Sequence, residues 1–166
     1  MPINESFLGE LQHEAKLTRT MLERIPEEKF SWKPHEKSMS LGQLSSHIAE
    51  IPGWTVTTID DDELDFAKLD YKPVELKSRE QLLKMFDDNI AKAVESLKKA
   101  NDETLMGNWK MRSGDQIFFD MPRTQVLRGF ILNHGIHHRG QLSVFLRLNN
   151  VPLPQIYGPT ADEGDM

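Results

Sequence analysis

The 166-residue chain reads as an all-α protein, a four-helix bundle with long connections between its helices. Two observations lead there. Four segments of about 20 residues place apolar side chains at helical spacing, each able to bury one face against the others. The stretches between them are rich in proline, glycine or acidic residues and hold no steady period. The composition agrees: 38% hydrophobic and 28% charged residues are ordinary for a soluble protein, and the length suits one domain spanning residues 1–166.

The first helix is expected from about Asn4 to Arg24. Asn4 is a plausible N-cap, and Phe7, Leu8, Leu11, Ala15, Thr18, Leu22 and Ile25 recur on one face before Pro26 ends it. PEEKFSWKPHEKSM, with two prolines, is a connection. Ser40 followed three residues later by Gln43 has capping-box form and opens a second helix, Leu41 to about Ile59, in which Pro52 and Gly53 predict a kink or short break. DDDELDFAKLDYKPVELK, residues 60–77, reads as an acidic surface loop. Its carboxylates at Asp60, Asp61, Asp62, Glu63 and Asp65 match no calcium-loop pattern. Ser78 with Gln81 is a second capping box. The third helix then runs to about Ala100, with Leu82, Phe86, Ile90, Ala93 and Leu97 on one face. Residues 101–121 read as a long connection with an extended piece near Ile117-Phe118-Phe119. Pro122 suits the first turn of a fourth helix reaching about Leu148, and the proline- and glycine-bearing tail beyond it is non-helical.

Charge and residue usage exclude several functions. A net charge of −6 without a basic block argues against nucleic acid as a partner. The chain has no cysteine, so disulfides, thiolate ligands and a thiol nucleophile of its own are excluded. The opening MPINESFLGELQHEAK lacks the basic start and apolar run of a signal peptide. No apolar stretch approaches the roughly 20 residues that span a bilayer. A cytoplasmic protein with no membrane partner is expected.

Half of the six histidines lie in NHGIHHRGQ, residues 133–141. Alternating steps of four and three along the fourth helix give a stripe of Leu127, Ile131, His134, His138, Gln141, Phe145 and Leu148. The i, i+4 spacing of His134 and His138 sets both imidazoles on one face, one turn apart, which is how a helix offers two ligands to one metal ion. His137 falls on the flank. On the second helix, Leu44, His47, Ile51 and Trp54 form another stripe in which His47 is the polar member. Facing helices can bring His47 to the pair, and three neutral imidazoles leave positions open, the pattern of catalytic rather than structural sites. Hydrogen-bonded packing is the alternative for each of these histidines. His13 and His35 are read as surface residues.

LSSHIAEIPGW, NHGIHHRGQL and LRLNNVPLPQIYGPTADE, with FSWKPHEKSMSLGQLSSHIAE leading into the first histidine, together resemble the DinB-like family of metal-dependent helical bundles. The likeness runs through nearly the whole chain, and H-x-x-x-H-R-G-Q is its most specific part. It implies a three-histidine site from the second and fourth helices, with His47, His134 and His138 as metal ligands, none of them missing here. The family's known enzymes include bacillithiol S-transferases and a mycothiol-dependent maleylpyruvate isomerase. These hold a divalent ion, often zinc or nickel, and many members are homodimers. The implied function is a divalent-metal-dependent enzyme, a thiol-dependent S-transferase or related hydrolase acting on a small electrophilic molecule. A low-molecular-weight thiol would be its cosubstrate. The alternative is a non-catalytic bundle that binds a metal or small molecule.

Lesser roles follow from position. Gln141, one turn beyond His138, can hydrogen-bond a ligand or substrate, or satisfy backbone in a polar core. Arg139, off the stripe, can bind an anionic group or form a structural salt bridge. Gly140 can let a helix approach closely. Trp54 and Tyr157 can line a pocket, with the core as the alternative for Trp54. Glu50, one turn from His47, is a candidate general base.

Overall fold

In the computed structural model, which describes residues 1–164, one helix after another follows from local chemistry. Helix α1 (Ile3–Leu22) buries Leu11, Thr18, Met21 and Leu22. Pro2 precedes it, and the cap is not Asn4. The Ile3 amide donates 2.9 Å to the Asp102 carboxylate, and the Asn4 side chain donates instead to the Leu97 carbonyl, 3.2 Å. Both partners are more than ninety residues away, so the sequence near Asn4 could not announce them.

Helix α2 (Leu41–Glu50) opens with both halves of the capping box between Ser40 and Gln43. The break expected at Pro52 and Gly53 is a 3-10 turn, Ile51–Gly53, leading into α3 (Trp54–Asp60). Asn89 donates 2.9 Å to the Ala49 carbonyl beside that break, and a side chain at Gly53 would meet Asn89 at 3.1 Å. Helix α4 (Arg79–Lys99) starts at Ser78, whose hydroxyl accepts from the Gln81 amide. The box is one-sided, because the Gln81 side chain turns to the Lys77 amide. A short α5 (Asp102–Met106) follows.

The all-α expectation is corrected here. The fold is mostly helical, but β1 (Glu63–Asp65), β2 (Asn108–Ser113) and β3 (Gln116–Pro122) form a three-stranded sheet in the order β1-β2-β3. β1 lies parallel to β2, with Leu64 opposite Met111, and β2 pairs antiparallel with β3 around a tight turn at Gly114, φ 58°. Trp109 and Met111 alternate inward along β2; that period of two and the Gly-Asp turn were the available signals for the hairpin. β1 comes from the acidic run, which is therefore not all solvated loop. Asp65 is buried, accepts from the Gly114 and Ala67 amides and pairs with Arg112. Gly114 and the other hydrogen bonds to Asp65 hold its carboxyl below the usual range.

Residues 123–148 form one continuous helical stretch: α6 (Arg123–Val126), a π-helical segment (Leu127–Asn133) and α7 (His134–Leu148). Helix α1 packs on α4 and α7, and α2 packs on the same two. Met21, Leu22, Ile25, Leu44, Ile48, Leu82, Phe86, Leu142 and Leu146 share one core between them. Arg123, itself buried, donates to the carbonyls of Thr58, Asn108 and Asp61 and ties the sheet to α3.

Candidate metal centre

The π segment decides where the histidines point. Its wider turn adds one residue to the helical repeat, which rotates everything after it by about 100° relative to the α-helical stripe. Leu127 and Ile131 are buried as expected, but the core line then passes through Leu132, Arg139, Leu142 and Leu146. His134 and His138 move to the half-buried flank, Gln141 is exposed and Leu148 is 57% exposed. Arg139, expected off the stripe, is inside at 3% exposure. Gly140 has no neighbour within 4 Å of its would-be side chain, so it serves no close helix approach. His137, His13 and His35 are exposed, as expected.

The flank of α7 faces α2, and there the three histidines meet. His134 Nε2 lies 3.2 Å from His47 Nε2 and 2.8 Å from His138 Nε2. The three can offer one ligand atom each within 4.8 Å of one another, a cluster that can hold a metal ion.

Tautomers show why this donor set suits a cation. His134 Nδ1 lies 3.2 Å from the Phe130 carbonyl, and His138 Nδ1 lies 2.7 Å from Gln141 Oε1. The Phe130 carbonyl can only accept, so His134 Nδ1 carries the proton and its Nε2 presents a lone pair; Gln141, with Oε1 turned to His138, sets the same tautomer there. In that tautomer the two Nε2 lone pairs face each other at 2.8 Å, an arrangement that a positive centre between them stabilises. His47 Nδ1 lies 3.8 Å from Glu50 Oε2, near that carboxylate but beyond hydrogen-bond reach. Oxygen acceptors behind metal-binding imidazoles fix ring orientation and raise basicity. Gln141 therefore sits at the outer nitrogen of His138, and Glu50 lies near that of His47.

Burial, then the neighbouring imidazoles, holds His134 below the usual histidine range. Burial pushes His138 down to about 4, with His134 and His47 adding to the effect and the Gln141 hydrogen bond opposing it. Both rings are thus neutral and ready to ligate at neutral pH. In metal-free protein the unfolded chain takes up protons near pH 6.5 that the folded chain refuses, so stability falls as pH drops from about 6.5 towards 4. Urea midpoints at pH 7 and pH 5 should differ more for the native chain than for a His134→Gln, His138→Gln double variant. Equal differences would show that these two rings do not drive the effect.

Two clefts adjoin the cluster. One of about 360 Å³ opens beside His138 and Gln141, walled by Met39, Leu44, Val144 and Phe145. The other, about 150 Å³, lies behind Glu50 and is walled by Trp54, Phe66, Tyr71 and Trp109. The Tyr71 hydroxyl donates 3.1 Å to Glu50, and burial together with that carboxylate pushes its pKa up to about 12. Trp54 is thus a cleft residue. Tyr157 is not: it lies over Arg139, and its hydroxyl donates 2.7 Å to Glu14. Sequence reasoning passed over Phe66 and Tyr71 because they sit in the acidic run; two aromatics five residues apart in so polar a stretch were the signal.

The model of the DinB family matches residues 1–165. The chain belongs to the DinB family. A relative of this DinB chain, YrdA of Bacillus subtilis (strain 168), is 28% identical over 163 residues, covering 96% of this chain and 90% of that one. Two solved structures share the fold. A DinB-like protein from Bacillus cereus ATCC 10987 has a TM-score of 0.71 at 23% identity, covering 94% of this chain and 98% of that one. A DinB-like protein, YjoA, from Bacillus subtilis has a TM-score of 0.70 at 19% identity, covering 96% and 99%. Among the described residues no helix is long and apolar enough to cross a membrane.

Proposed function

We propose that this DinB protein is a divalent-metal-dependent enzyme, a thiol-dependent S-transferase or related hydrolase acting on a small electrophilic molecule. His47, His134 and His138 would hold the ion. The observation that carries the reading is the convergence of the imidazole nitrogens of His47, His134 and His138, the latter two with their opposite nitrogens within 3.2 Å of an oxygen. A divalent ion there, zinc or nickel by family likeness, supplies Lewis acidity that lowers the pKa of a thiol or water brought to the site. The chain's own residues do the rest. Gln141 orients the His138 ring, and the cleft beside His138 gives a low-molecular-weight thiol or a substrate a route to the cluster. The absence of cysteine fits a thiol that arrives from solution.

The same reading takes the protein as a cytoplasmic homodimer. Val144 and Leu148, more than half exposed on α7, supply apolar surface that a second copy would cover.

The test is elemental analysis of untagged protein purified without chelator, with light scattering on the same sample and then a screen of thiols against electrophiles. About one divalent ion per chain and saturable thiol consumption are expected. A chain that binds neither zinc nor nickel would sink the metal reading; a loaded chain that binds a small molecule tightly without turnover would leave a binding module instead of an enzyme.

A further inference from the structure

The cleft behind Glu50 has an unusual pairing of walls and charge. Trp54 and Tyr71 stand at 90° with centroids 6.1 Å apart, Phe66 and Tyr71 at 69° and 5.9 Å, and Trp54 and Phe66 at 55° and 6.5 Å. The three rings pack edge-to-face or tilted against one another and together wall the cleft, so a cation seated in it lies beside aromatic rings that can attract it. The volume, about 150 Å³, suits a compact group the size of benzene or a trimethylated nitrogen.

Glu50 decides between those two occupants. Its side chain is only 12% exposed, and its neighbours are the Tyr71 phenol at 3.1 Å and His47 Nδ1 at 3.8 Å. Among the described residues no lysine or arginine pairs with it. A largely buried carboxylate without a cationic side chain is costly. A neutral aryl group in the cleft would strip it of further water, whereas a cation would neutralise it from the cleft side, with or without an ion on the far side of His47. The net charge of −6 also draws cations towards the protein.

We infer that this cleft binds a small alkylammonium group, caged by Trp54, Phe66 and Tyr71 with Glu50 as its counter-charge. If the histidine cluster is a reaction centre, as proposed above, the group is the anchoring end of the substrate; the binding itself does not depend on that reading.

The experiment titrates the full chain with choline chloride and, at matched ionic strength, with its uncharged isostere 3,3-dimethylbutan-1-ol. Tryptophan emission is the signal, because Trp54 and Trp109 wall the cleft. Choline should bind at least about ten-fold more tightly than the alcohol. Tyr71→Leu should weaken choline about five-fold by removing one wall, and Glu50→Gln should collapse the preference for the charged ligand. Equal binding of the two compounds, or no response to choline at millimolar concentrations, would overturn the inference. Metal per chain is measured on the same samples, so a metal-free chain that still prefers choline counts against the enzyme reading and leaves this site standing.

Discussion

His138→Ala is expected to remove stoichiometric metal binding, while His137→Ala is expected to leave it at about one ion per chain. The two residues are neighbours of identical chemistry, so only their placement separates them. His138 Nε2 is 2.8 Å from His134 Nε2, and its Nδ1 is tied to Gln141. His137 is exposed and outside the cluster. Removing an imidazole from a three-nitrogen site should cost well beyond the roughly 10–100-fold in affinity that loss of an outer partner costs. Gln141→Ala, which removes such a partner, should fall inside that range. Competition with a chromophoric chelator at pH 7 reads all three variants. Similar losses for His137→Ala and His138→Ala would refute the assignment of the two rings.

Arg139→Ala should destabilise the fold by about 3–5 kcal/mol, because it breaks a buried ion pair by removing one partner. The guanidinium is 3% exposed and sits 2.7 Å from the Glu14 carboxylate, with further donations to Thr18 Oγ1, the Glu14 carbonyl and the Tyr157 hydroxyl. Without it, the Glu14 carboxylate keeps only the Tyr157 hydroxyl, 2.7 Å away. Arg139→Met with Glu14→Gln should recover much of the loss, since neither buried charge is then left alone. Urea unfolding measures both. The folded Arg139 variant should take up metal as the native chain does, because the guanidinium reaches to Glu14 and Thr18 on α1 and makes no contact with the imidazoles. A loss near or below about 1 kcal/mol, the size of an ordinary hydrogen bond, would mean that Arg139 is no clamp. The structural salt bridge, the alternative to anion binding for this residue, is present: the guanidinium donates to Glu14, Thr18 and Tyr157.

The helices and their interruptions were legible in the chain because they depend on neighbours. Ser40 and Gln43 close a box three residues wide, Pro26 ends the first helical run, and Pro52 with Gly53 break the second. The three histidines were legible for the same reason: spacing along one helix pairs His134 with His138, and the likeness of short motifs adds His47. The sheet was not, because β1 is three residues of acidic sequence whose partner lies more than forty positions on, and nothing local to Glu63–Asp65 names that partner. Nor was the true face of the fourth helix. A periodic stripe assumes a constant repeat, and the π segment at Leu127–Asn133 breaks that assumption one residue at a time. That single step carried Arg139 into the core, set His134 and His138 on the flank facing α2, and gave them a partner 87 residues upstream. Residue identity and local hydrogen bonding specified the ligands on offer; packing between distant helices decided which of their nitrogens meet.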